Sequence, residues 1–316
     1  MSEAREYKYI GQRTIRPDGF DKVTGRADFG ADLSLPGMIW GKILRSPHAH
    51  ARINKIDTSK AEAHPDVMAV VTHQDFPAVT AGGFAVGEGQ VDFKDLSKNV
   101  LADDKVLYHG HPIAAIAAKT EAAAEAALSL IDVDFEVLKP VLDIAEAMKP
   151  DAPLLHADLF TQGLAEQPEK ASNIASRMEL KKGDIEAGFA AAEVIVERDF
   201  STPTVHQGYI EPHATTVRYE ADGQSMVWCS TQGHFDVRAI ISTLLSMDLS
   251  KLKVIASEIG GGFGAKTTVY LEPVALMLSK KSGRPVKMAM TREEVFRASG
   301  PGSATAAGSR LVPGRM

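Results

Sequence analysis

The chain has 316 residues, of which 44% are hydrophobic and 24% charged, and its formal net charge is -6. This composition is typical of globular proteins, so collagen-like, low-complexity and wholly disordered chains are excluded. The length suggests about two domains. The charge shows no basic surplus, so nucleic acid and anionic membranes are not expected partners.

Cysteine content and hydropathy narrow the class further. The single cysteine, Cys229, excludes an internal disulfide framework and any cysteine-ligated iron–sulfur or zinc site built from this chain. The first nine residues are charged and have no apolar core, unlike a secretory signal. No apolar run approaches the roughly 18 residues of a membrane span. We therefore expect a cytoplasmic α+β protein.

The first half of the chain is predicted to fold as one compact α+β unit over residues 20–145. It follows an extended arm over 1–19, and the stretch up to residue 35 is turn-rich. Thr120 is predicted to cap a helix over 121–130. The glycine-rich stretch 78–99 has no period and predicts a loop. Strands are predicted from apolar or alternating patterns over 38–45, 51–56, 67–72, 113–118 and 131–137.

The second half is predicted to form a partial domain over residues 193–298. Its clearest helix covers 235–247, where apolar side chains recur at helical spacing on one stripe. A further helix is predicted over 268–282. Strands are predicted over 193–200, 215–219, 225–229, 251–256 and 285–290.

Two segments lack any period. Residues 146–192 contain several prolines and scattered charges, and we interpret them as a connector between the two units. Residues 299–316 are rich in glycine and serine. They carry too little apolar surface to offset the entropy of ordering, which predicts a disordered tail.

The glycine-rich loop over residues 260–266 (GGGFGAK) is the strongest candidate for a ligand site. Glycine permits positive φ and lets main-chain N–H groups approach a ligand closely. A helix beginning just downstream would add a positive dipole end that suits phosphate or an oxyanion. The loop therefore favours a phosphate-bearing cofactor, and a tight connection made only for packing is the alternative.

Nucleotide binding remains a second interpretation of the same loop. Gly260, Gly262 and Ala265 match a relaxed dinucleotide fingerprint, with Glu293 as the ribose partner, but no second βαβ repeat follows. The loop also approaches a P-loop, although Ala265 occupies the position of the required glycine and no acidic partner for Mg²⁺ stands out.

Polar residues elsewhere are weaker candidates. Gln232, in the segment Ser230-Thr231-Gln232-Gly233, follows a strand and precedes the clearest helix, so its amide could face a ligand or merely complete a turn. The remaining histidine and carboxylate motifs complete no metal or acid–base cluster, and we interpret them as structural or surface groups. These are His48 with His50, His109 with His111, and Glu211-Pro212-His213.

Five motifs occur in the same order in one family. The chain resembles the molybdenum-cofactor subunit of the molybdenum hydroxylases, which include xanthine dehydrogenase, aldehyde oxidase, aerobic carbon monoxide dehydrogenase and 4-hydroxybenzoyl-CoA reductase. The resemblance extends over about residues 11–298. The motifs are 21–25 (DKVTG), 44–51 (LRSPHAHA), 108–114 (YHGHPIA), 230–232 (STQ) and 260–266 (GGGFGAK).

This resemblance implies an a/b hammerhead domain over 20–145, followed by the first part of a molybdopterin-binding domain. It places Gln232 beside the molybdenum oxo group as the catalytic side chain. It makes Phe263, with its neighbouring glycines, a source of main-chain donors to the cofactor. None of these residues would be a direct metal ligand. The implied donor glycines are Gly261, Gly262 and Gly264.

The resemblance also implies the substrate class and the partners. Purine-oxidising members carry a glutamate after the lysine of the loop, and Thr267 stands there, so the substrate pocket is not expected to take a purine. The implied reaction inserts a water-derived oxygen at a C–H carbon of an aldehyde, an N-heterocycle or an aromatic ring. The cofactor is molybdenum–molybdopterin, with the cytosine dinucleotide form as one option. Electrons would pass to [2Fe–2S] clusters on an iron–sulfur small subunit and to FAD on a medium subunit.

Subunits of this family are much longer, and nothing in this chain matches their later half, which holds most pterin contacts and the glutamate base. The resemblance therefore implies a truncated product or one piece of a split subunit, completed by a second chain. The isolated chain is expected neither to hold the cofactor tightly nor to turn over. A nucleotide-binding α/β protein and a non-catalytic assembly module that docks onto an iron–sulfur partner remain the alternatives.

Overall fold

A computed structural model describes residues 7–79, 82–86, 89–166 and 168–312. Its helices and strands confirm the predicted α+β class. The helices are α1 (Gly19–Thr24), α2 (Ser59–Glu62), α3 (Phe93–Val100), α4 (Glu121–Leu128), α5 (Ile144–Ala147), α6 (Ile185–Ala190), α7 (His234–Leu244), α8 (Glu272–Ser282) and α9 (Arg292–Ala298). The strands are β1 (Ile39–Arg45), β2 (Ala51–Asp57), β3 (Val67–Thr72), β4 (Gly83–Val86), β5 (Gly89–Asp92), β6 (Lys105–Val106), β7 (Pro112–Ala118), β8 (Asp132–Val137), β9 (Val196–Thr202), β10 (Ala214–Arg218), β11 (Ser225–Cys229), β12 (Leu252–Ala256), β13 (Val286–Ala289) and β14 (Thr305–Leu311).

A seven-stranded mixed sheet in the order β12-β11-β10-β13-β1-β7-β3 forms the centre of the molecule. β7 is buried along its whole length, as expected for a small, apolar central strand. β1 pairs antiparallel with β7 and parallel with β13, where Ile39 lies opposite Val286. The sheet therefore joins strands from both predicted units instead of ending at the boundary between them.

The helices α7 and α8 pack against this sheet and contribute buried apolar side chains to its core. The apolar stripe predicted on α7 is buried, with Val237, Ile240 and Ile241 at 0% exposure. α8 packs against β10 and β3, and the Lys281 ammonium donates to the carbonyl of Val70 at 2.7 Å. Removing side chains of this size from water contributes roughly 1.5–3 kcal/mol each. Burial of apolar side chains therefore anchors the strands that lead into the candidate site.

The smaller sheet β6-β2-β8 agrees with the sequence pattern. In β8, Val133 and Phe135 are half-buried while Asp132 and Asp134 are exposed, which is the alternation expected of a strand with one wet face. Thr120 caps α4 by accepting the N–H of Ala123 at 3.1 Å.

The prediction of a loop over 78–99 is wrong, because β4, β5 and most of α3 lie there. Asp92 caps α3 by accepting the N–H groups of Lys94 and Asp95, and Phe93, Leu96 and Val100 are buried. The glycines of this stretch masked a capping residue followed by apolar positions at helical spacing. The short helix α1 likewise lies within the stretch up to residue 35, which was predicted to be mostly extended and turn-rich.

The helix predicted from residue 268 begins later, at Glu272. The Glu272 carboxylate accepts the N–H groups of Tyr270 (3.0 Å) and Leu271 (3.2 Å), and Pro273 lies in the first turn. Proline is suited to the first turn because its missing N–H has no helical acceptor there, so Pro273 is consistent with a helix that begins at Glu272 and leaves residues 268–271 before it.

The disorder predicted over 299–316 is wrong for β14, which pairs antiparallel with β9 along seven residue pairs. Local composition could not show this, since the partner strand lies about a hundred residues earlier in the chain and supplies the missing hydrogen bonds. Residues 313–316, at the end of that predicted tail, lie outside the described residues. In the part of the chain that the structure describes, no helix has the length and apolar character needed to cross a membrane.

Candidate functional site

The two predicted ligand segments lie at one edge of the central sheet. The segment 230–233 follows β11, and the loop 260–266 comes soon after β12. β11 and β12 are adjacent and parallel, with Cys229 opposite Ala256, so their carboxyl ends meet at the same edge. In sheets of this kind ligands bind at such edges. The order of the strands therefore explains why the two segments meet.

Gln232 joins the two segments directly. Its Oε1 atom accepts the main-chain N–H of Gly264 at 2.9 Å and that of Lys266 at 3.3 Å. The main-chain N–H of Gln232 donates to the carbonyl of Lys266 at 2.8 Å. Thr231 donates from its hydroxyl to the same carbonyl at 3.1 Å. The carboxamide thus fixes the second half of the loop.

The loop backbone needs its glycines for two separate reasons. Gly261 and Gly264 have φ values of +94° and +92°, and Phe263 has a φ of +51°, a region that L side chains rarely adopt. At Gly262 a Cβ would stand 2.5 Å from Oε1 of Gln232, so a side chain there would displace the carboxamide. The Phe263 ring is 72% exposed.

The main-chain donors of the loop divide into two groups. Gly264 and Lys266 donate to Gln232, and Ala265 donates to the carbonyl of Gly262 at 3.0 Å. Within the described residues, the N–H groups of Gly261, Gly262 and Phe263 meet no hydrogen-bond acceptor. Three of the four predicted donors are therefore unpaired, whereas the N–H of Gly264 is taken up by Gln232.

A buried ion pair lies beneath the loop, and sequence reasoning missed it. The Lys266 side chain is 0% exposed, its Nζ lies 2.7 Å from Oε2 of Glu211, and it also lies 4.9 Å from the centre of the Tyr209 ring. Burial lowers the pKa of Lys266, and the Glu211 carboxylate opposes that shift. The local pattern around Glu211 indicated only a structural or surface group. One local signal could have indicated the pair: a lysine is the last residue of the glycine-rich loop, and a lysine that becomes buried needs a carboxylate partner.

A hydrogen-bonded cluster continues from Tyr209 towards the end of α9. The Tyr209 hydroxyl lies 2.8 Å from Nε2 of His213 and 2.7 Å from Oγ of Ser299. Ser299 donates to the carbonyl of Val295 at 2.7 Å. Burial lowers the pKa of His213 to about 3, and the Lys266 ammonium contributes to the same shift. His213 is therefore neutral and serves as a structural group at ordinary pH.

Thr267 and a cavity lie beyond the loop. The Thr267 hydroxyl donates to the carbonyl of Gly264 at 2.9 Å, so it closes a turn inside the loop. A cavity of about 390 Å³ begins at the next residue, Thr268, and extends between Tyr108 and Phe296. Thr267 directly precedes the lining residue Thr268 in the sequence but does not itself line the cavity.

Two further residues that the sequence analysis considered, His111 and Cys229, are buried structural groups. His111 is fully buried; its Nδ1 accepts the N–H of Leu107 at 3.1 Å, its Nε2 lies 2.9 Å from the carbonyl of Lys98, and burial lowers its pKa to about 4. The buried Cys229 thiol has a raised pKa. Among the described residues, no three metal-binding side chains cluster together.

The geometry does not meet the condition for the nucleotide-binding alternative. Both nucleotide motifs need a helix that opens directly at the glycine-rich loop. α8 begins only at Glu272, whose own carboxylate takes two N–H groups at that helix start. Glu293, the expected ribose partner, pairs instead with Arg297 on α9.

Comparison with known families gives two domain matches. The sequence model described as "Aldehyde oxidase and xanthine dehydrogenase, a/b hammerhead domain" matches residues 24–139. The model described as "Molybdopterin cofactor-binding domain" matches residues 166–311, which include both segments of the site.

Individual relatives agree with these matches. The chain is 36% identical to a probable xanthine dehydrogenase subunit from Bacillus subtilis over 90% of this chain and 35% of that protein. It is 32% identical to the nicotinate dehydrogenase large molybdopterin subunit of Eubacterium barkeri, over 92% of this chain and 63% of that protein. The chain thus spans about a third of the first relative and less than two thirds of the second.

Solved structures show the same fold. Quinoline 2-oxidoreductase from Pseudomonas putida 86 superposes with a TM-score of 0.81 and 28% identity, covering 97% of this chain and 38% of that one. CO dehydrogenase from Oligotropha carboxidovorans gives a TM-score of 0.80 and 32% identity, covering 96% and 37% respectively. The chain therefore combines an a/b hammerhead domain of the aldehyde oxidase and xanthine dehydrogenase type with a molybdopterin cofactor-binding domain.

Proposed function

We propose that this chain supplies one wall of the molybdopterin site of a molybdenum hydroxylase, with Gln232 and the main chain of residues 261–264 against the cofactor. The observation that carries the proposal is the run of three main-chain N–H groups, from Gly261 to Phe263, that meet no acceptor among the described residues. They lie beside a carboxamide that is held in place by hydrogen bonds to the loop.

The donor set fits an oxygen-rich, anionic group. Successive N–H groups in a backbone that alternates into the left-handed region form a concave site for anions. A side chain at position 262 would collide with Gln232, so the loop carries none there and would meet the anionic group through its main chain. When bound, the molybdenum cofactor would supply two-electron oxidation of the substrate.

The residues of this chain would then act as fixed donors. The Gln232 amide uses its oxygen to hold the loop, which leaves its Nε2 hydrogens, with no partner among the described residues, to face the cofactor. Donors that are already oriented stabilise developing negative charge without reorganisation. The exposed Phe263 ring would exclude water from that face. Thr267 would line the substrate side.

The names of the relatives support a multisubunit enzyme. They include a probable xanthine dehydrogenase subunit and a large molybdopterin subunit, and this chain spans only part of each. We therefore propose an iron–sulfur small subunit, an FAD-binding medium subunit and a further stretch of large subunit as partners. A single cysteine cannot bind a [2Fe–2S] cluster here. The substrate would be an aldehyde, an N-heterocycle or an aromatic ring; the cytosine dinucleotide form of the cofactor and a cytoplasmic location belong to the same proposal.

The test is to express the tagged chain in a host that makes molybdopterin, together with the neighbouring reading frames, and to measure molybdenum and pterin in the purified complex. About one molybdenum per chain in the complex, with little in the chain purified alone, is expected. Gln232→Ala should lower the molybdenum content several-fold. Saturable binding of NAD or ATP, with no molybdenum in any complex, would overturn the proposal. Dye-linked turnover by the isolated chain would refute the separate claim that the chain needs a further stretch of large subunit.

A further inference from the structure

The loop that presents the unpaired donors is held by a carboxylate from a distant part of the chain. Glu211 accepts the N–H of Gly260 at 2.6 Å and the Nζ of Lys266 at 2.7 Å, both through Oε2. Its main-chain N–H also donates to the carbonyl of Gly260 at 3.2 Å. One side chain therefore contacts the first and the last residue of the loop.

The loop needs contacts from outside itself, because part of its backbone adopts unfavourable dihedral angles. Phe263, an L residue, has a φ of +51°, and the glycines on either side of the turn lie at large positive φ. Such backbone persists only where surrounding contacts over-determine it. Gln232 fixes Gly264 and Lys266, but among the described residues no hydrogen bond from Gln232 reaches Gly260. Of the hydrogen bonds in the described part of the chain, only those of Glu211 connect the first residue of the loop with the last.

The same carboxylate reaches the N-terminal part of the chain. The N–H of Gly30 lies 3.3 Å from Oε1 of Glu211, and Phe29 forms a bridge to Glu258, just before the loop. Lys22, in the motif 21–25, contacts Glu258 at 2.6 Å. Residues 22–30 and the loop are therefore held to one another at the same place.

We propose that Glu211 and Lys266 are positioning residues: together they close the loop 260–266 and so set the direction of the N–H groups of residues 261–263 towards the cofactor. This inference rests on the proposed function. Neither side chain would touch the cofactor, because the Lys266 side chain is 0% exposed and the Glu211 side chain, 11% exposed, is bonded to the two ends of the loop.

The test uses amide hydrogen exchange of the 316-residue chain without cofactor, so it does not depend on activity. The slow amides of the loop should be those with acceptors, at residues 260, 264, 265 and 266. Glu211→Gln and Lys266→Met should each speed exchange at residues 264–266 at least tenfold, while β10 and β11 keep their protection. Unchanged loop exchange in Glu211→Gln would overturn the proposal.

Two further variants separate positioning from a general loss of stability. Glu211→Gln with Lys266→Met removes both buried charges, so the unfolding temperature should return close to that of the wild type while loop exchange stays fast. Wild-type loop exchange in this double variant would overturn the proposal. Glu294→Gln breaks a comparably buried pair with Arg45, 2.7 Å long, and should leave loop exchange unchanged; an equal increase there would also count against positioning.

The molybdenum content of the purified complex gives a second readout. It should fall several-fold in Glu211→Gln and in the double variant but not in Glu294→Gln. A wild-type complex without molybdenum, with the exchange results as expected, would refute the proposed function and leave the closing of the loop by Glu211 and Lys266 standing.

Discussion

Gln232 illustrates how one side chain can serve both the fold and a ligand. Its oxygen is committed to two main-chain N–H groups of the loop, and its amide nitrogen points its hydrogens elsewhere. An aspartate or glutamate could accept the same two bonds but could not donate, which is why the amide is informative. Gly262 makes this arrangement possible, since the absence of a side chain there provides the space that the carboxamide fills.

Gly262→Ala tests whether the Gln232 carboxamide needs the space at position 262. The new Cβ would stand 2.5 Å from Oε1 of Gln232, so the flexible carboxamide must move and lose its bonds to the loop. We expect a stability loss of only about 1 kcal/mol but a several-fold fall in molybdenum per chain in the purified complex. Gly188→Ala is the matched control, because nothing lies within 4 Å of the Cβ position there. Equal molybdenum content in the two variants would contradict this role of Gly262.

His111 predicts a specific acid sensitivity. Its pKa is lowered to about 4 by burial, and unfolding returns it to about 6.5, so the unfolded chain binds the extra proton between these values. The free energy of unfolding should therefore fall as the pH drops from 6.5 towards 4, with about 3 kcal/mol of the loss due to this residue. His111→Gln can keep both hydrogen bonds without titrating. Denaturant unfolding at pH 6.5 and 4.5 should show a smaller difference in that variant; an identical difference would refute the assignment.

At the scale of elements, close backbone approach decides how α9 joins the first half of the chain. Gly110 has a φ of +96°, and a Cβ there would stand 2.7 Å from Cβ of Arg297 on α9. Arg45, at the end of β1, pairs with Glu294 of the same helix and donates to the carbonyl of Gly110. The motifs 44–51 and 108–114 thus act as a joint between the hammerhead strands and α9.

Gly110→Ala should therefore cost more than backbone strain alone. We expect a loss of about 2–4 kcal/mol in the free energy of unfolding, from positive φ and from the clash with α9. Gly37→Ala has a similar φ of +71° with nothing within 4 Å of its Cβ position, so it should cost only about 1 kcal/mol. Urea unfolding measures both. Equal losses would show that packing against α9 contributes nothing.

The sequence predicted most elements because their signals are local. The stripe on α7, the cap at Thr120 and the alternation in β8 each depend on residues within a few positions of one another. The sequence patterns indicated Gln232 and the glycine-rich loop as two separate candidates, and only the family resemblance implied that they share one site; the parallel pairing of β11 and β12, which brings them together, was not predicted. Glu211 and β14 were missed for the opposite reason. Each gains its role from a partner 50 or more residues away, which no local pattern encodes.

At the scale of the molecule, the central sheet makes the two halves of the chain interdependent. β1 uses both edges, one on β7 and the other on β13, so the hammerhead strands and the cofactor-binding strands share a hydrogen-bond ladder. The core follows the sheet, because Ile39 and Val286 are buried together across that pairing. The loop 260–266 follows β12, which pairs with β11, so strands of the second half position it and the first half is joined to them through the pairing of β13 with β1.

This sharing predicts that residues 1–145 do not fold independently. Without β13 the inner edge of β1 has no partner, and without α8 the faces of β3 and β7 lose their cover. We expect the full chain to unfold in one cooperative transition by circular dichroism and by tryptophan fluorescence, which reports on Trp40 in β1 and Trp228 in β11. The fragment should show no transition and little amide dispersion in its NMR spectrum, since its exposed apolar strands are not compensated. A fragment with dispersed amides and a cooperative transition of its own would show that the shared sheet joins two units that are each stable alone.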